Sequence, residues 1–125
     1  MNNYESLFYE ILTLTRSEQL CWHQIGRKEN AEIILNPHLV IRQFASDMRL
    51  EGNVLGLLLL ERRHLYNEED FFIEPLEERR AELLVLAEGE LIASLTEMSV
   101  RLARMMELLD LAIDQSNRRL LVQPA

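Results

Sequence analysis

The sequence predicts a single α+β domain: an N-terminal helix, an antiparallel sheet of about five strands, and a C-terminal helix packed on the sheet. Three observations carry this. Apolar residues recur at spacings of three and four near both ends, which places them on one helical face. Between those ends the pattern breaks into short apolar runs that hold most of the β-branched residues. Turn residues punctuate the runs about every eight to twelve positions. At 125 residues and 48% hydrophobic, the chain is long enough to enclose one core (residues 1–125).

A competing architecture is mostly α, with a small β meander at 20–44. It draws on the 25 leucines and on the abundance of Glu, Arg and Ala, all good helix formers. Propensity yields readily to tertiary context, whereas turn punctuation fixes where the chain reverses. The α+β layout is therefore the prediction.

Tyr4, Leu7, Phe8, Ile11 and Leu12 define the first helix, over about residues 3–16. Leu20–Ile25, Ala31–Leu35 and Leu39–Phe44 then read as three consecutive antiparallel strands. They are separated by Gly26 with the polar run Arg27–Asn30, and by Asn36-Pro37-His38. Ser46–Asn53 reads as a polar connection with a Gly52-Asn53 turn. Val54–Tyr66 is a continuous apolar run, and periodicity alone leaves strand and helix both open there. Asn67–Asp70 reads as a loop. Pro75 either opens a short helix over Leu76–Glu82, or Glu82–Leu86 and Glu90–Leu95 form a hairpin closed by Ala87-Glu88-Gly89. The stripe Met98, Leu102, Met105, Leu109, Ala112 and Ser116 defines the last helix, capped by Thr96 or Ser99.

The charge balance excludes several functions. With 21 acidic against 13 basic residues and a net charge of −8, the chain lacks the cationic surface that neutralises nucleic-acid phosphates. The same sign opposes an anionic membrane leaflet. The pairs Arg62-Arg63 and Arg79-Arg80 sit beside acids, so their local fields largely cancel. The longest uncharged apolar stretch, Val54–Leu60, is far shorter than the roughly twenty residues a membrane helix needs. The N-terminus has no basic region ahead of an apolar core, and Cys21 is the lone cysteine, so a reducing cytoplasm is expected.

The search for chemistry returns little. His23, His38 and His64 have no helical metal-ligand spacing. Cys21 and His23 would share one face of a strand and could pair a thiol with a base; a buried small Cys beside a half-exposed His is the plainer reading. Glu68, Glu69, Asp70 and Glu74 gather four carboxylates but lack the alternation and glycine of a calcium loop. No phosphate-binding glycine loop or nucleophile elbow is present, so neither an enzyme nor a cofactor is indicated. Trp22 is expected to anchor the helix–sheet core, and Met98, Met105 and Met106 to fill it.

Glu68, Glu69, Asp70, Phe71 and Phe72 combine charge with aromatic anchors and are the candidate partner-binding residues. The first expectation is therefore a non-catalytic acidic protein-binding module, of inhibitor, immunity or adaptor type, steered toward a basic protein partner. Small size, acidity and a mixed α/β layout also resemble the single-partner chaperones of bacterial type III secretion. That resemblance rests on no motif; it implies a homodimer holding one protein partner. A second copy could cover Val54–Leu60 under either reading. A small-molecule binder or enzyme using Cys21 and His23 comes third.

Overall fold

The computed structural model describes residues 3–64 and 78–122. The chain runs α1 (Asn3–Arg16), β1 (His23–Ile25), a single 3-10 turn (Pro37–Leu39), β2 (Val40–Leu50), β3 (Asn53–His64), β4 (Glu78–Ala87), β5 (Glu90–Leu95) and α2 (Leu102–Val122). The strands form one antiparallel meander in the order β1-β2-β3-β4-β5. This is the α+β layout expected from the sequence.

Period two sorts the side chains of the sheet. On the inner face, Phe44 and Met48 of β2, Leu55, Leu57 and Leu59 of β3, and Leu83 and Val85 of β4 meet both helices. The helices contribute Phe8, Ile11 and Leu12 from α1 and Met105, Leu108, Leu109 and Ala112 from α2. Each such Leu, Ile or Phe contributes roughly 1.5–3 kcal/mol by leaving water. Trp22 is fully buried here, as expected; its indole N–H donates to Thr15 Oγ1 at 3.1 Å.

The outer face carries a second, smaller core of Val40, Leu58, Leu60 and Leu84 under Ile33 and Ile34. Here the structure corrects the sequence reading, because Ala31–Leu35 is a series of turns and not a strand. Asn30 and Asn36 stand in the left-handed region at φ 61° and 52°, and Ile33 and Ile34 donate their amides back to Asn30 O. Their β-branched side chains are spent on packing over the sheet. The strap 26–36 is held by two polar clamps. Buried Gln43 accepts from Asn30 Nδ2 at 2.7 Å and donates to Glu29 O at 2.8 Å. Arg62 Nη2 donates to Leu35 O at 2.7 Å.

Two other expectations change and two open alternatives are settled. Ser46–Leu50 continues β2, with Met48 inward and Asp47 and Arg49 exposed, so the reversal falls on Glu51-Gly52. Val54–His64 is strand: every second leucine faces the helices and the alternate ones lie under the strap. That covering is supplied within the chain, so the leucine run does not itself require a second copy. Residues 78–82 belong to β4, which excludes a helix over them and leaves the hairpin reading. The last helix starts at Leu102 and not near Met98. Thr96 closes a turn instead, accepting amides of Ser99 and Val100 at its carbonyl and of Met98 at its hydroxyl. Met105 is core and Met106 packs against it, but Met98 is 90% exposed.

Candidate functional site

Among the described residues of the sheet, charge differs between the two ends. Antiparallel register sets Arg62 opposite Arg80 and Arg63 opposite Arg79. Like charges facing across strands repel, and carboxylates from three elements relieve it. Glu61, 1% exposed on the inner face, takes Arg42 Nε at 2.6 Å and Arg79 Nε at 2.6 Å. Arg79 also reaches Asp110 of α2 at 3.4 Å; on the outer face Arg62 meets Glu82 at 3.1 Å and Arg80 meets Glu97 at 3.7 Å. Burial alone pushes the Glu61 carboxyl up, yet the hydrogen bonds and charges of Arg42 and Arg79 outweigh it and hold the group below the usual range.

The opposite end is acidic. The β2–β3 and β4–β5 turns are both Glu-Gly, at 51–52 and 88–89, with all four residues at positive φ. Leu55 pairs with Ala87, so the two tips project side by side. Glu51, Glu88, Glu90 and Asp47 stand exposed there, without ion-pair partners among the described residues, and Arg49 is the nearby cation on the same strand pair.

Between this end and the strap, the outer sheet face is open. A groove of about 390 Å³ runs over Ala45, Val54, Gly56, Leu58 and Leu86, with Asn30 on the strap side and Glu88 on the tip side. A second hollow of about 500 Å³ shares Val54 and Glu88 with it and is lined also by Gly52, Asn53 and the helix-side residues Leu55 and Ala87. Val54 is 52% exposed and Leu91 of edge strand β5 42% exposed. An apolar floor beside solvated carboxylates can take an apolar side chain whose flanks are cationic.

The sequence-level candidates fare differently. Glu68, Glu69, Asp70, Phe71 and Phe72 lie outside the described residues, as does Glu74. Cys21 and His23 are both exposed, on either side of buried Trp22, and the thiol lies 3.6 Å from Glu18 O. Among the described residues no three His, Cys, Asp or Glu side chains gather as metal ligands. The sequence places Glu88 in a turn but gives no binding role to Glu51, Glu88 or Gly56. The available signal was the repeated Glu-Gly dipeptide and a glycine set inside a leucine run.

Comparisons with protein-family models, with curated proteins and with solved structures return no match for this chain.

Proposed function

We propose that this chain is a non-catalytic protein-binding module that captures a basic partner at its acidic hairpin end. One observation carries the reading. Exposed carboxylates stand at the two hairpin tips, with Glu88 lining an apolar groove and Asp47 beside it in register, while the described arginines at the other end of the sheet are largely occupied by acids of the same chain. An acidic patch of this kind raises the encounter rate with a cationic surface, and the groove supplies contact area once the two meet. The test is binding of a Lys/Arg-rich peptide across a salt series, to the wild type and to the Glu51→Gln/Glu88→Gln/Glu90→Gln variant. The expected result is affinity that falls steeply with salt and drops at least tenfold in the variant. Salt-insensitive binding, or a variant as tight as the wild type, contradicts it.

A second reading, a homodimeric single-partner chaperone, is favoured by the layout of two helices flanking a strand meander, the layout on which that resemblance rests. Sedimentation tests it, and a strict monomer excludes it.

A further inference from the structure

Gly56 sits in the middle of β3, with β2 on one side and β4 on the other, opposite Asp47 and Leu86. Glycine there weakens a strand and needs a reason. Backbone conformation does not supply one, because Gly56 is not in the left-handed region. Crowding does not either: an added Cβ would lie 3.6 Å from Leu86 Cβ and 3.9 Å from Leu86 O, ordinary contact distances. What the missing side chain does leave is space on the outer face, at the floor of the groove between Ala45, Leu58 and Leu86.

We propose that Gly56 keeps this groove open for an apolar side chain of an extended partner segment whose flanking residues are Lys or Arg. This rests on the acidic-module reading and names the chemistry of its partner. Charge complementarity selects the occupant. Glu88 lines the floor, Asp47 lies opposite Gly56 and Glu51 stands at the neighbouring tip, against Arg49 opposite Val54, so an apolar anchor between cations suits this border better than one between acids. An extended segment fits the shape, because the groove lies along β3 from Leu58 past Gly56 to Val54. Position 56 therefore sets specificity: a side chain there occupies the volume that the partner's anchor needs.

The experiment uses the full chain and two fluorescein-labelled probes, Lys-Arg-Leu-Val-Leu-Arg-Lys and its polar counterpart Lys-Arg-Ser-Gly-Ser-Arg-Lys. Wild type is expected to bind the apolar-centred peptide at least tenfold more tightly than the polar one. Gly56→Ala should weaken it severalfold, and Gly56→Val should remove the preference, with melting temperatures equal to or above wild type in both. Equal affinity for the two peptides, no binding of the apolar-centred one, or a Gly56→Val protein that keeps the preference overturns the proposal. If Gly56→Val fails to fold, Gly56→Ala decides by the same criteria. The groove fails alone if both peptides bind equally but release with salt. The parent reading fails if binding ignores both salt and the Gln substitutions.

Discussion

Gln115 shows how single side chains join the segments of this fold. Its Oε1 accepts the Trp22 amide at 2.8 Å, and its Nε2 donates to the carbonyls of Thr15 and Leu20, both at 3.3 Å. One amide on α2 thus satisfies backbone groups of α1 and of the connection to β1. Gln115→Ala strands these buried groups and is expected to cost about 2–3 kcal/mol, measured by urea denaturation. Glu61 has a different signature. Its carboxyl is held below the ordinary value in the fold, so its contribution is complete above the unfolded pKa of about 4.3 and is lost as pH falls through the folded value. Glu61→Gln should therefore be less stable than wild type by about 1–3 kcal/mol near neutrality. The gap should close on acidification below about pH 4, as followed by denaturation at a series of pH values. Neither role could be read from the chain: Gln115 looks like a solvated helix residue, and Glu61 like one acid among many, until register brings Arg42 and Arg79 to it.

At the scale of elements, the hairpins hold the main tension between stability and binding. Type I′ turns favour Asn-Gly, and this protein uses Glu-Gly twice, with Glu51 and Glu88 at φ 50° and 53°. Glu51→Asn or Glu88→Asn is expected to raise stability by about 0.5 kcal/mol while weakening association with a basic peptide. Thermal melts and the peptide titration check the two halves separately. Gly52→Ala or Gly89→Ala, at φ 83° and 82°, should instead cost about 1 kcal/mol. Much at this scale was legible beforehand. The bounds of α1 and the β4–β5 hairpin follow from helical spacing and from Glu88-Gly89; the expected total of about five strands matches the sheet although it counted 31–35, which is no strand, and left 54–66 open. The errors have two causes. Ile33 and Ile34 read as strand because β-branched residues favour pleated surfaces, and here they satisfy that preference by packing onto a sheet instead of joining it. Ser46–Leu50 read as connection because its exposed face is polar, although Met48 and Leu50 keep the inward alternation.

At the scale of the whole molecule, with a net charge of −8, the described residues of the sheet carry arginine–carboxylate pairs at one end and exposed carboxylates at the other. Composition revealed the sign. It could not reveal the place, because the acidic end is built from two turns 37 positions apart that only strand pairing brings together. The groove was equally hidden, since a gap on a sheet face depends on which residues flank Gly56 across strands. The account is tested most directly by mapping amide chemical shifts of isotopically labelled protein during titration with Lys-Arg-Leu-Val-Leu-Arg-Lys. Shifts concentrated at Val54, Gly56, Leu58, Leu86 and Glu88, and abolished by about 0.5 M salt, are the predicted result. Shifts concentrated instead on the exposed residues of α1 around Tyr4 and Tyr9, or on Met98 and Leu102, would contradict it.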